Sequence, residues 1–458
     1  MKRNLHRSAL LVTMVGFLSA AGMARGFTLE AHQDLLISAT MTGTGSESLA
    51  PVSGDGSRAN PYVYDWAASG VSDHLDLGAW MIRGGGPATT PDVSFVLNLN
   101  GGNVTGSATY AFQTYRDMWD RNLDVGSVTL TNANDISIGA ILTTAQESRG
   151  GLYAKGGPVT FGQPSSPAGH VRVDRIDTRT FEGTPGSIGG AVKIYAVGNV
   201  TIATDAGAPG AIMTGGGRAG GNIEIRHAGN LVAGTLDTSA NASFDTAGHV
   251  MLDGKGAGGT CDIGVVDTRQ KKSGIFGWDA GNVTITSYGS VAIRSALRAS
   301  TLGTYNWDNP NPDGGDINIT NISGIIQLDC EISCNGSAED IVRDGAMHLA
   351  NTAGPIVIGS ASNAGTRVFD VYNFRYTLFD ADDGVSWIYD DINHFVEGES
   401  RLRVRHDGDI IYYAIEGGEV NGDLLAGGVA GVYEVYSAEG GVGYLKPILP
   451  GALLLMIR

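Results

Sequence analysis

The chain has 458 residues and a formal net charge of −17. Without clustered Lys and Arg to neutralise phosphates, that balance argues against a nucleic-acid partner. Glycine accounts for 69 residues, about twice the usual share of roughly 7%, and no collagen-like triplet accompanies it, so these are turn and corner residues. Three cysteines, Cys261, Cys330 and Cys334, are too few for a disulfide scaffold, and no Cys/His spacing suits zinc.

The N-terminus reads as a secretory signal over residues 1–26. Lys2, Arg3 and Arg7 precede an apolar run from Ala9 to Leu18, which is too short to span a bilayer. Small residues follow at Ser19, Ala20, Ala21, Ala24 and Gly26, and cleavage after Ala21, Ala24 or Gly26 fits. The expected location is therefore secreted or on the outer cell surface.

Residues 27–125 read as an N-terminal cap or early coils. Asp34 to Met41, His74 to Ile82 and Val93 to Leu99 are expected strands, joined by Gly/Ser/Pro-rich connections. Thr109 to Leu123 is compatible instead with a short helix.

A repeat opens at Gly126. Its leading element, Gly-x-apolar-x-apolar, recurs behind Gly126, Gly157, Gly190, Gly221, Gly248, Gly281, Gly315 and Gly345, a period of about thirty residues that belongs to solenoids. The inward pairs are Val128/Leu130, Val159/Phe161, Val192/Ile194, Ile223/Ile225, Val250/Leu252, Val283/Ile285, Ile317/Ile319 and Met347/Leu349. Period-two alternation of this kind marks strands with one buried face.

A second run follows in each unit, for example Val171/Val173, Val200/Ile202 and Leu231/Ala233. A third, shorter run supplies Ile141, Ile176, Ile212, Leu236, Val266, Leu297 and Ile332. Two residues beyond it, threonine recurs at 143, 178, 214, 238 and 268, and Cys334 occupies the same place.

Three runs per unit describe one coil of a three-sided helix. A lone coil cannot bury its few inward side chains. Stacking coils about 4.8 Å apart pairs each strand in parallel with its equivalents and builds aliphatic columns, with the threonines stacked on one another. Glycine at each strand start lets the chain turn where a Cβ would clash. The expected fold is thus all-β, a single-stranded parallel β-helix of three strands per coil and about eight or more coils over residues 126–366. It would have an N-terminal β cap and a small C-terminal β-rich segment.

The stretches GGNIEIRHAGNLVAGTLDTSA and GNVTITSYGSVAIRSALRAS resemble the repeats of filamentous-haemagglutinin-type adhesins and autotransporter passengers. The resemblance implies a right-handed winding and a role at the cell surface or outside the cell.

Residues 367–458 form a separate β-rich cap or module. Phe369 to Phe379 is strand-like, Val385 to Val396 is compatible with helix or strand, and Asp407-Gly408 between strand-like runs signals a hairpin. The apolar Ile448 to Ile457 reads as a final strand rather than a sorting tail, and no segment reads as a clear transmembrane helix.

The best catalytic constellation is His170, Arg172 and Asp174, projecting from one strand, with Asp135 one coil below. A basic residue beside carboxylates suits proton abstraction and resembles the sites of pectate-lyase-like enzymes. The competing reading is a row of solvated strand residues. Asp308, Asp313 and Asp316 offer oxygen ligands for calcium, although a plain turn explains DNPNPDGGD as well; no other cofactor is expected.

Cys261 stands where other coils carry Leu, Val or Ile and reads as a small buried hydrophobe. Cys330 and Cys334 read as free thiols in preference to a bridge. Trp278, Tyr288, Tyr305 and Trp307 either stack on sugar rings or fold down over the loop bases. Together these features favour an exported, non-enzymatic, adhesin-like protein that binds carbohydrate or another surface ligand through its lateral face and loops, with self-association open. The alternative is a polysaccharide-active lyase or hydrolase.

Overall fold

The computed structural model describes residues 51–358 apart from parts of the loops. Outside that range it describes backbone strands between residues 25 and 49 and between 377 and 447. The first runs form one parallel ladder in which Val128, Val159, Val192, Ile223, Val250, Val283 and Ile317 are direct partners in sequence order. Val192, Ile223, Val250 and Val283 therefore line up one over the next. From Val128 to Ile317 the chain makes a parallel β-solenoid of about six turns, against the eight or more coils expected. Further parallel strands extend this sheet, Tyr62–Asp65 and Phe95–Asn98 on one side and Met347–Asn351 on the other.

The second and third runs lie in a second sheet and are often one strand. Ile136–Leu142, Val171–Asp177, Leu231–Asp237, Thr260–Asp267 and Ser290–Arg298 each carry both. Elsewhere they separate, as in Val200–Ile202 and Ala211–Met213. In Ile136–Leu142 two residues, Gly139 and Ala140, part the inward pair from the third-run isoleucine, and pairing with the next coil resumes at Ala140.

Inside, the columns are aliphatic and closed to water. Val171 and Val173 are buried, as are Ile223, Ile225, Leu231, Ala233 and Leu236, while the other residues between them in these strands reach solvent. Burying each such side chain contributes about 1.5–3 kcal/mol, and the columns form one continuous core from Tyr62 to Leu349.

The leading glycines are required by space. A Cβ on Gly157, Gly190, Gly221, Gly248, Gly281, Gly315 or Gly345 would stand 1.9–2.4 Å from the carbonyl oxygen of the leading glycine one coil earlier. None of them has positive φ, so close approach of coil on coil, not handedness of the backbone, selects the residue.

Where it is described, the region expected as a possible helix is extended. Tyr110–Gln113, Arg116–Asp117 and Leu123–Asp124 are strands, because Phe112 pairs with Ile141 in the third-run column and is fully buried against Phe95. Local helical spacing loses to that burial.

Beyond the solenoid, Arg25–Glu30 pairs antiparallel with Leu35–Met41. At the other end, Arg401–His406 and Asp409–Glu416 form the expected hairpin, with His406 opposite Asp409. Residues 1–24 and 448–457, and most of 369–376 and 385–396, lie outside the described residues. Among the described residues no helix is long and apolar enough to cross a membrane.

Candidate functional site

Two kinds of polar joint hold the coils together, and some of the residues singled out by sequence, His170 and Asp135 among them, belong to them. The first is a clamp at the base of each loop that follows a third run. The Thr143 hydroxyl donates to the Gly157 carbonyl at 2.6 Å, while the Gly157 N–H donates back to the Thr143 carbonyl at 2.9 Å. The same reciprocal pair joins Thr178 to Gly190, Thr214 to Gly221, Thr238 to Gly248 and Thr268 to Gly281. Thr114 makes the hydroxyl bond to Gly126 at 2.6 Å. The threonines do more than stack, then: each closes its own loop onto the next coil.

Two coils depart from the pattern. Ala299 keeps only the backbone half, accepting the Gly315 N–H at 2.6 Å. Cys334 takes the threonine place as expected, and its thiol donates to the Gly345 carbonyl at 3.3 Å. All three cysteines are buried, and none of them forms a disulfide. Cys261 lies between Leu231 and Val291 in its column, and burial pushes its thiol up.

An aspartate precedes the clamp threonine in three coils, a signal the sequence reading passed over. The carboxylates of Asp177, Asp237 and Asp267 accept the backbone N–H two residues on, the local bond that favours Asp in turns. Burial pushes the Asp267 carboxyl up, but the Arg269 guanidinium at 2.8 Å and the Lys271 ammonium at 3.3 Å outweigh it and hold it below the usual carboxylate range.

The second joint is a ladder of side-chain acceptors at the corners that open the strands. Before the second runs, Asn103 accepts the Asp135 N–H, Asp135 that of His170, His170 that of Asn199, Asn199 that of Asn230, and Asn230 that of Thr260, all at 2.8–3.0 Å. Before the first runs, Asn222 accepts the His249 N–H, His249 that of Asn282, and Asn282 that of Asp316, each at 2.9 Å. A Gly followed by Asn or His at a strand entrance is the sequence signal for it, with Asp135 behind Asn134 the exception.

His170 and Asp135 thus meet in adjacent coils, as the sequence placed them, and Arg172 lies in register between Ser137 and Thr201 on the same face. In this arrangement His170 Nδ1 and one Asp135 carboxylate oxygen are engaged by backbone N–H groups. Asp313 and Asp316 are spread along similar joints, their N–H groups held by Asp279 and Asn282, and Asp308 lies outside the described residues. Among the described residues no cluster of His, Cys, Asp and Glu is placed to hold a metal.

Tyr288 is buried, as folding down over the loop bases requires. Its hydroxyl lies 2.7 Å from His227 Nε2, and the ring passes over Gly254 to reach it. Burial pushes His227 down to about 4, with Asp253 opposing, so this imidazole is neutral in the folded protein at ordinary pH. Tyr305 and Trp307 lie outside the described residues.

Compared with known proteins, the chain matches no family model, no curated protein and no solved structure.

Proposed function

We propose that the protein is an exported, non-enzymatic β-helix of the cell surface or extracellular space, structural or adhesin-like, that binds carbohydrate or another surface ligand through its lateral face and loops. Right-handed winding follows from the strong preference of parallel crossovers. Three strands per coil, continuation of the coil to eight or more turns, and closure of the ends by the flanking β segments complete this reading.

The observation that carries it is the clamp. Loops as different as those between Thr214 and Gly221 and between Thr143 and Gly157 leave the solenoid through the same pair of hydrogen bonds. The clamp fixes where each loop leaves the core whatever its length, which is what a binding surface carried on a rigid scaffold needs. The polar side chains at the corners are meanwhile spent on coil-to-coil joints.

A glycan array probed with the mature protein tests this, with retention of a defined glycan class expected and absence of binding to any glycan or cell surface counting against it. Release of unsaturated uronates or new reducing ends from acidic polysaccharides, lost in His170→Ala or Arg172→Ala, would replace it with the polysaccharide-active enzyme.

A further inference from the structure

His170 and His249 occupy asparagine places in two different acceptor ladders. The neighbours of His170 in its ladder are Asp135 and Asn199, and those of His249 are Asn222 and Asn282. Each imidazole accepts the next coil's N–H at Nδ1, at 3.0 Å from Asn199 and 2.9 Å from Asn282. A nitrogen that accepts carries no proton, so both rings are neutral with the proton on Nε2. Asparagine in the same place accepts at any pH, whereas an imidazolium has no acceptor at all.

We infer that His170 and His249 are proton-operated joints: acid turns each from an acceptor into a donor, drops the Asn199 or Asn282 N–H, and loosens the solenoid at two corners while the asparagine rungs stay closed.

The surroundings differ between the two. Beneath His170 stands Asp135, whose carboxylate holds the His170 N–H, and its own strand carries Arg172 and Asp174. Above it, Gly198 lies so close that a Cβ there would come within 2.5 Å of the ring. The imidazolium at this corner keeps a carboxylate neighbour, with the Gly198 backbone packed beside the ring. His249 is flanked by neutral Asn222 and Asn282. The strands beside it carry Asp253 and the ion-paired Glu224 and Arg226. Although its outer edge meets solvent, packing pushes His249 below the ordinary imidazole range, so this corner opens below the pH at which an unperturbed histidine takes up its proton.

Site-resolved hydrogen exchange on the full chain tests the inference, comparing protection factors at about pH 7.5 and about pH 4.5, either side of the ordinary histidine pKa. Losing one such bond lowers protection about tenfold at the Asn199 and Asn282 amides. The Asn230 and Asp316 amides, held by asparagines, keep theirs. The double variant His170→Asn, His249→Asn retains an acceptor at both corners and loses the pH dependence. The inference is overturned if Asn199 and Asn282 stay equally protected at both pH values, or if the double variant loses protection there as the native chain does.

Discussion

Thr268 and Ala299 stand one above the other in the same column, yet they close their loops differently. Thr268 exchanges two hydrogen bonds with Gly281, one from the hydroxyl and one through the backbone. Ala299 offers Gly315 the backbone bond alone, and the strand that leads to it, Ser290–Arg298, still pairs with the strands on either side, with one register shift against Thr260–Asp267. The comparison separates two tasks. Backbone pairing and the glycine column decide that the chain turns here, and the hydroxyl only strengthens the closure.

If that division is right, the largest effect comes from the glycines. Gly221→Val places side-chain atoms on the Gly190 carbonyl, where even a Cβ would stand 2.3 Å away. A loss of more than about 4 kcal/mol, or failure to fold, is expected in urea titration. Gly101→Ala is the contrast: nothing lies within 4 Å and the strain comes only from φ of +86°, so about 1 kcal/mol is expected.

Next comes the buried His227–Tyr288 tie, which crosses the coil between its partners. Its folded pKa of about 4 lies below the unfolded value of about 6.5. The unfolded chain therefore takes up the proton first as pH falls, and stability drops between about pH 6.5 and about pH 4, by on the order of 3 kcal/mol. Denaturant midpoints across that range show it, and His227→Phe flattens this part of the profile.

The clamp hydroxyl follows. Thr178→Val keeps the shape and the backbone bond but leaves the Gly190 carbonyl without its donor, at a cost of about 1–2 kcal/mol. The reciprocal change, Ala299→Thr, supplies the missing donor to Gly315 and is expected to gain about 1 kcal/mol, read as a raised thermal midpoint. The smallest effect belongs to the loops themselves. Shortening the 239–247 loop within 242–245, which leaves the bonds that Ser239, Ala240 and Asn241 make to neighbouring coils, changes stability by no more than about 0.6 kcal/mol, because the base of the loop is still closed. A large loss would mean that the loop, and not its base, holds the coil.

Much of the architecture was legible because it is written in short-range periodicity. Alternation at Val192/Ile194 and Ile223/Ile225 announces inward faces, and recurrence of a glycine about every thirty residues announces the coil. Phe112 was misread because its neighbours have helical spacing and only the column it enters, beside Ile141, shows its true place. The candidate site was legible in position but not in role. Strand alternation put His170 and Arg172 on one face, but whether an imidazole faces solvent or a backbone N–H depends on a residue 29 positions away.

By itself, then, the sequence determined the strands, their inward faces and the coil period, since each depends on residues close together in the chain and on the hydrophobic effect. Only the tertiary structure decided that threonine hydroxyls close the loops, that Asn, Asp and His form corner ladders, and that Tyr288 reaches His227. Hydrogen bonds are directional and short, so they exist only once stacking has brought successive coils to within a strand spacing of one another.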